Sequence, residues 1–254
     1  MATPNRWAIR DAGIATFYSL KTKKPVVTLK TLKTSGLENT GETVYARGGF
    51  GNPKLVGFSG NREAKLTLSD AIFDNKALAM LTGNDLIEGA RNISRYEELD
   101  VVSGKVTLSS TPVGDLVGVF VINEDGTLGQ EIDSTEYDVT GKEVEFTSGV
   151  IDGEKVSIYY STSTDSTAKT LRVTSDKFGQ TFRVVLQCLV RDEYTQQDFA
   201  AQIEIPVAKF EDNFSVALAV DGDPAVLDLN LEILKSPTST DMWLMTIYDE
   251  DELV

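Results

Sequence analysis

The sequence contains no histidine, and this absence excludes several chemistries at once. Histidine is the commonest general base and a frequent zinc ligand, so Ser-His-Asp catalysis, Cys-His catalysis and histidine-containing zinc sites are excluded. The acidic pairs Asp221 with Asp223 and Glu124 with Asp125 stand in ordinary turn sequences, without the further ligands of a calcium loop. We therefore predict no catalytic residue, no cofactor and no metal site, and a protein that is not an enzyme.

Cysteine and long apolar runs are also scarce. The single cysteine, Cys188, excludes an intrachain disulfide, and its alternation with Leu186 and Val190 predicts an apolar filler in a strand instead of a reactive thiol. The apolar runs are far shorter than the roughly 20 residues of a membrane helix. Because the first residues carry no apolar signal core, we expect cytosolic synthesis without a signal peptide, and no membrane partner.

Positive charge is scarce in most of the chain. The net charge of −15 argues against a protein that grips nucleic acid, because phosphate binding needs clustered Lys and Arg. Residues 1–95 nevertheless carry 14 basic and 8 acidic side chains, whereas the remainder is acidic. This asymmetry is either a solvated feature without consequence or the basis of head-to-tail attraction between identical subunits.

What the sequence does contain is alternation of apolar and polar residues, which predicts a mainly β fold. The clearest case is residues 225–234, where four apolar side chains face one way. One segment, residues 69–83, has helical spacing instead, and we predict a helix of about three turns with Ser69 or Asp70 as N-cap and Gly83 as C-cap. The other predicted strands are residues 25–33, 64–69, 104–110, 142–147, 155–161, 169–175, 181–190, 200–210 and 213–220.

Residues 96–165 have the turn spacing of a separate small unit. Several short strands with glycine turns predict an inserted Ig-like β-sandwich, although about 60 residues is short for a complete one. The acidic RYEELD at 95–100 and the Ser/Thr-rich STSTDSTAK at 161–169 are its predicted junctions. The larger β domain is then discontinuous, with residues 1–95 and 166–254.

A glycine-rich segment, YARGGFGNPKLVGF, lies at residues 45–58. A phosphate-binding glycine loop opens a helix, whereas a proline and a strand follow here, so we reject a nucleotide site. We predict a long loop from Gly36 to Pro53 that acts as an interaction arm, because loops of this length are usually functional or disordered. Its glycines are 36, 41, 48, 49 and 51, and its predicted contacts are Tyr45, Arg47 and Phe50.

The final segment, TDMWLMTIYDEDELV, is apolar at alternate positions on both sides. Trp243, Met245 and Ile247 lie on one side, and Met242, Leu244 and Tyr248 on the other. This pattern predicts a strand that is buried on both faces or one that pairs with a neighbouring subunit.

The order of these elements resembles that of tail tube proteins of tailed bacteriophages and related contractile injection machines. The stretch GNPKLVGFSGNREAKLTLSDAIFDNKALAMLTG, residues 51–83, is similar to the loop, hairpin and helix of that family. The resemblance covers residues 1–95 and 166–248 and leaves the insert as a decoration on the outer surface. It implies a structural virion protein, made in the host bacterial cytoplasm and located in the phage tail.

The resemblance also implies partners. Six copies form a ring, their inner strands close a barrel, and stacked rings make a tube through which phage DNA passes without specific binding. The arm reaches the adjacent ring through Gly36, Gly41, Tyr45, Arg47, Gly48, Gly49, Phe50, Gly51 and Pro53. The inter-subunit strand contains Trp243, Met245 and Ile247. Further implied partners are the tail sheath, tape measure, baseplate and terminator proteins.

Three alternatives stay open at this point. The chain could instead be another virion β protein, such as a tail terminator or capsid decoration protein. It could be an acidic β-sandwich module that binds carbohydrate, although such modules offer a row of exposed aromatics and the sequence shows none. A hydrolase that acts through two carboxylates ranks third, because no particular pair of acids stands out.

Overall fold

The computed structural model describes residues 3–216 and 225–252. The chain divides into two compact units, one formed by residues up to 86 together with those from 171 onward, the other by residues 87–170. The predicted junction at 95–100 is wrong, because those residues lie inside a strand that belongs to the smaller unit. Likewise, residues 161–163 end one strand of that unit and residue 169 begins another.

Eighteen strands and one α-helix make up the part of the chain that is described, so the predicted mainly β class with a single helix is confirmed. A single 3₁₀ turn, Glu250–Glu252, follows the last strand. The elements are, in chain order, β1 Trp7–Ile9, β2 Ile14–Ser19, β3 Pro25–Leu29, β4 Leu32–Arg47, β5 Lys54–Asp70, α1 Asn75–Thr82, β6 Ile87–Glu88, β7 Asn92–Asp100, β8 Lys105–Thr107, β9 Gly118–Ile122, β10 Leu128–Glu131, β11 Tyr137–Thr140, β12 Glu143–Phe146, β13 Lys155–Ser163, β14 Lys169–Thr170, β15 Thr181–Asp192, β16 Asp198–Phe210, β17 Leu227–Ile233 and β18 Leu244–Tyr248.

The larger unit is built on one nine-stranded antiparallel sheet with the order β3-β2-β15-β16-β17-β5-β4. Strands β1 and β18 join it on β15 and β16. One edge of β16 pairs with β15, and the other edge has two neighbours. On that second edge, residues 208–210 pair with β17 whereas residues 200–204 pair with β18. The sheet also curls back on itself, since the Ser35 hydroxyl donates to the Ala12 carbonyl oxygen at 2.6 Å.

The core of the larger unit follows the predicted alternation. In β17 the side chains at 227, 229, 231 and 233 are buried, and Asp228 and Glu232 between them are exposed. The aromatic centre is a triad in which Phe17 stacks on Phe210 at 5.6 Å between ring centroids and meets Phe182 edge-on at 6.1 Å. The concave side of the sheet is therefore filled by alternate residues of strands that are distant in sequence.

Helix α1 is shorter than predicted and starts later. Its N-cap is Asp74, whose side chain accepts from the backbone N–H of Lys76 at 2.7 Å and of Ala77 at 3.0 Å. The prediction of Ser69 or Asp70 as N-cap is wrong, because both residues end β5 and pair with β17. The predicted C-cap is confirmed, since Gly83 adopts the left-handed conformation with φ of 68°.

Two further local predictions are wrong. Residues 36–53 do not form a loop, because most of them belong to β4 and pair with β5. The hairpin that the resemblance implies at LVGFSGNREAKLTLSD, residues 55–70, is one continuous strand, in which Asn61 and Arg62 form a bulge opposite Gly41 and not a turn. Of the predicted strand at 213–220, residues 213–216 are not in a strand, and the remainder lies outside the described residues together with Asp221 and Asp223.

The smaller unit has its own core between two antiparallel sheets. One sheet has the order β10-β9-β13-β7 and the other the order β11-β12-β8, and β6 pairs with β14 separately. Side chains from both sheets, among them Val119, Val144 and Ile158, are fully buried in one cluster. The immunoglobulin-like character is not confirmed, because in that fold the fourth and fifth strands share a sheet with the first and second. In the smaller unit, counted from β7, the first strand β7 pairs with the seventh strand β13. The second strand β8 pairs with the sixth strand β12.

Glu97 is the main polar group at the edge of this second core. Burial by itself raises the pKa of the Glu97 carboxyl, but hydrogen bonds from the hydroxyls of Ser109 and Tyr160 and from the Ser109 backbone N–H lower the pKa below its usual value. The guanidinium of Arg95, 3.1 Å away, acts in the same direction. Tyr160 itself is fully buried, so this carboxylate satisfies the hydroxyl of a core residue.

We expect Leu229→Ala to lower the free energy of unfolding of the larger unit by about 2–5 kcal/mol, because Leu229 is fully buried and the change leaves a cavity. Both tryptophans, Trp7 and Trp243, lie in the larger unit, so tryptophan fluorescence during urea unfolding reports on that unit. Glu232→Ala on the exposed side of the same strand is the control. A loss below about 1 kcal/mol for Leu229→Ala would contradict this account of the core.

We expect Glu97→Gln to destabilise the smaller unit at neutral pH by about 1–2 kcal/mol, because the charged acceptor is lost. A carboxyl with a lowered folded-state pKa contributes stability above its unfolded pKa, and this contribution is lost as the pH falls through the folded pKa. The difference in the free energy of unfolding between wild type and Glu97→Gln should therefore become smaller below about pH 4. Scanning calorimetry at several pH values measures this stability difference. A difference that is independent of pH would disprove the role of the charge.

Candidate interaction surfaces

Strands β4 and β5 continue beyond the sheet as a two-stranded ribbon, which we define as residues 42–60. Pairing between β17 and β5 ends at Ile233 opposite Ala64, and from there on β5 pairs only with β4. Every residue of β5 from Lys54 to Glu63 is exposed, whereas Ala64, Leu66 and Leu68 are buried. The same strand is thus a core strand in one half and an unsupported ribbon strand in the other.

A bulge marks the base of the ribbon. The register between β4 and β5 shifts between Thr40 and Glu42, which face Glu63 and Gly60 respectively. Asn61 has a φ of 48°, and its side-chain amide donates to Glu42 Oε2 at 2.8 Å. Bulges bend a strand and increase its twist, so this position sets the direction in which the ribbon leaves the sheet.

The tip of the ribbon is a short glycine turn. Gly49 and Gly51 both have φ of 82°, a conformation that other residues adopt only with strain, and the Asn52 N–H donates to the Gly49 carbonyl oxygen at 3.1 Å. Phe50 lies between the two glycines and is fully exposed. Of the glycines in the predicted arm, Gly49 and Gly51 are therefore required by the backbone conformation of the tip. Gly36, by contrast, lies in β4, where a Cβ would approach Thr67 Oγ1 to 2.8 Å.

One face of the ribbon is an apolar stripe. Val44 lies opposite Phe58, and Ala46 lies opposite Val56, so the four side chains share a face. Val44 is 69% exposed and Phe58 is 62% exposed. Nothing in the described part of the chain covers this stripe, which makes it an unpartnered apolar surface.

The opposite face is capped by an aromatic ring. A Cβ at Gly57 would meet the Tyr45 ring at 3.1 Å, so the ring lies across the glycine. The ammonium group of Lys54 stands 3.9 Å from the centre of the same ring. The side chain of Arg47, the register partner of Lys54, makes no ion pair or hydrogen bond with any described residue, so its guanidinium is available to a partner.

The final strand, β18, packs differently from the prediction. It pairs with β16 of its own chain, and Leu244 on its outer face is 44% exposed, so a strand buried on both faces is wrong. Met245 and Ile247 pack inward against a small cluster that contains Phe199. Trp243 packs on the main core, and its indole N–H donates to Asn39 Oδ1 at 3.0 Å. Within the described residues, the second edge of β18 has no strand partner.

A cavity of about 250 Å³ lies between β4, β15, β16 and β18. Leu37, Leu186, Ile203 and Trp243 are among its lining side chains, together with Cys188. Cys188 is half-buried, and burial, followed by the nearby charge of Asp11, raises the pKa of its thiol. A raised pKa disfavours the thiolate, which agrees with the predicted filler role.

The acidic groups that could suggest chemistry serve as turn residues. Asp125 accepts hydrogen bonds from the N–H of Thr127 at 3.0 Å and from its hydroxyl at 2.6 Å. Asp165 and Thr167 repeat this arrangement. Among residues 3–216 and 225–252, no three His, Cys, Asp or Glu side chains are placed to hold a metal ion. No helix in this part of the chain is long and apolar enough to cross a membrane.

A sequence model of the YomU/Tube protein family matches residues 7–245. The chain belongs to the YomU/Tube protein family. No curated protein matches the chain. The family description agrees with the resemblance to phage tail tube proteins and indicates a structural tube protein of the virion tail. It favours a protein without catalytic activity.

The ribbon of this YomU/Tube chain brings the predicted arm residues together, with Phe50 at the tip and Tyr45 and Arg47 beside it. The prediction missed Val44, Val56 and Phe58, which form the apolar stripe with Ala46. Their signal was present in the sequence as alternate apolar positions in VYA at 44–46 and in VGF at 56–58, but the predicted loop included residues 44–46. Alternation predicts a face only once the segment is taken as a strand.

We expect the double change Val44→Ser with Phe58→Ser to leave the free energy of unfolding of the monomer within about 0.5 kcal/mol of wild type, because both side chains are exposed. Urea unfolding under conditions that keep the protein monomeric measures this. The matched control is Thr43→Ser with Ser59→Ala, a register pair on the other face. A loss above about 2 kcal/mol would mean that the stripe packs within its own chain.

Proposed function

We propose that this protein is the major tube subunit of a phage tail, which acts by assembling into stacked hexameric rings that conduct phage DNA. The observation that carries the proposal is the ribbon, in a chain of the YomU/Tube family. A two-stranded ribbon is marginally stable in water by itself. Contact with a second copy would cover its apolar stripe and give the guanidinium of Arg47 a partner.

The length of the ribbon suits an inter-ring contact. From Glu42 to Gly48 the chain rises about 20 Å in extended conformation, enough to pass the border of one subunit and reach the next. In this role Phe50 and the apolar stripe enter the neighbour, while Arg47 meets a carboxylate. Residues 171–254 carry 6 basic and 16 acidic side chains, so the same chain offers a complementary acidic part.

The proposed contact within a ring uses β18. Trp243, Met245 and Ile247 are engaged with their own core, so the contribution of this strand to a neighbour is the backbone of its second edge. Addition of a strand from the adjacent subunit would satisfy those backbone groups and remove an exposed edge. A ring closed in this way forms a continuous barrel around the lumen.

The proposed tube also sets a requirement on charge, because DNA passes through its lumen. Residues 87–170 carry 6 basic and 16 acidic side chains, a net of −10, so most of the net charge of −15 belongs to the smaller unit. The larger unit has 18 basic and 23 acidic side chains. A modest surplus of carboxylates in that unit suits a conduit that repels DNA phosphates without binding them.

We expect a ribbon deletion to abolish tube formation while the subunit stays folded. Replacing residues 43–59 by Asn-Gly joins Glu42 to Gly60 through a tight hairpin turn and keeps the anchored half of β5. Negative-stain electron microscopy detects rings and tubes, and circular dichroism confirms the fold. The double variant Val44→Ser with Phe58→Ser should lower assembly, whereas Thr43→Ser with Ser59→Ala should assemble like wild type. Normal tubes from the deletion variant would disprove the role of the ribbon.

A further inference from the structure

The smaller unit carries a cluster of aromatic side chains on the outer face of its four-stranded sheet. Tyr96 of β7 lies directly opposite Tyr159 of β13, and their rings stack at 5.7 Å between centroids with an interplanar angle of 22°. Phe120 of β9 meets Tyr159 edge-on at 5.9 Å. The cluster therefore spans three neighbouring strands.

This face is open. Tyr96 is 62% exposed, and because one side of its ring stacks on Tyr159, the exposed area includes the other side and the hydroxyl. The hydroxyls of Tyr96 and Tyr159 make no hydrogen bond with any residue that the structure describes. The rings thus combine a flat apolar surface with unused polar groups, the combination that suits a ligand with both apolar and hydroxyl groups.

Carboxylates stand beside the rings. Along β7, Glu98 is two residues from Tyr96 on the same face, and on β10 Glu131 is the register partner of Phe120. Both side chains are exposed, and neither forms an ion pair or a hydrogen bond with the described residues. Carboxylates accept hydrogen bonds from hydroxyl groups, so the rim of the aromatic cluster can bind a polyol.

A buried group in the same row is also unsatisfied. Ser157 lies between Glu98 and Phe120 across the sheet, and it is 1% exposed. Its hydroxyl is the one buried side-chain polar atom without a hydrogen-bond partner in the described part of the chain. An unsatisfied buried group in a folded protein calls for an explanation, and functional sites are one place where such groups are found.

The charge of the unit narrows the choice of ligand. With a net charge of −10 over residues 87–170 and carboxylates beside the rings, the surface disfavours an anionic polymer. A pyranose ring fits the remaining requirements, because its C–H face packs on an aromatic face while its hydroxyls donate to carboxylates. A flat face across several strands suits a chain of sugars more than a single small molecule.

We propose that the outer face formed by Tyr96, Tyr159, Phe120, Glu98 and Glu131 binds a neutral oligosaccharide of hexose or N-acetylhexosamine units. The sugar stacks on the open side of Tyr96, and the two carboxylates accept from its hydroxyls. This activity does not depend on whether the larger unit forms a tube.

The test begins with binding of the full chain to an array of neutral oligosaccharides built from hexose and N-acetylhexosamine units. A hexasaccharide that binds on the array is then titrated into the protein by calorimetry. We expect binding in the wild type, a loss of about tenfold or more in Tyr96→Ala, and a smaller change in Tyr96→Phe, which keeps the ring. Tyr194→Ala is the matched control, because Tyr194 is a fully exposed tyrosine in the other unit. Calorimetric unfolding verifies that each variant is folded.

Absence of binding to every neutral oligosaccharide would overturn the proposal, and so would equal binding by wild type and folded Tyr96→Ala. Binding of a proline-rich peptide to this face, with no sugar bound, would assign the cluster to a protein ligand and also overturn it. A cross-strand aromatic stack with only a structural role would change the unfolding temperature in Tyr96→Ala without any sugar binding in the wild type.

Discussion

The pairing of β17 with the second half of β5 is the constraint on which the rest of the larger unit depends. Seven consecutive residue pairs, from Leu227 with Asp70 to Ile233 with Ala64, fix the register of both strands. That register directs Leu66 and Leu68 into the core beside Leu229 and Leu231. A slip of β5 by one residue would place Leu66 and Leu68 on the exposed side while Leu229 and Leu231 stay on the core side, so the apolar core and the register enforce each other.

The same pairing determines where the ribbon begins. β17 ends at Ile233, and β5 has no second neighbour before Ala64, so only β4 accompanies it toward the tip. The division of β16 between β17 and β18 has a related effect, because each of these two strands pairs with only a part of β16. A sheet that divides and curls in this way can enclose a core and still extend one hairpin. Anchoring and projection are therefore two consequences of one strand order.

Much of the fold could be predicted from local sequence, and the errors share a cause. Alternation identified β17, β15 and β16, and Gly83 identified the end of the helix, because these signals depend on nearby residues. Gly36 and Gly41 suggested a loop, whereas pairing between β4 and β5 holds them in a strand. The aromatic cluster was invisible because residues 96, 120 and 159 become neighbours only through register. Long-range pairing overrides local propensity in both cases.

The ribbon is the feature that links the sequence, the fold and the proposed assembly. The most direct measurement is a cryo-electron microscopy map of the purified protein under conditions that favour assembly. We expect stacked rings in which Phe50 and the apolar stripe of each ribbon are buried against a subunit of the adjacent ring. Rings whose ribbons stay in solvent, or a protein that stays monomeric in every condition tested, would contradict it.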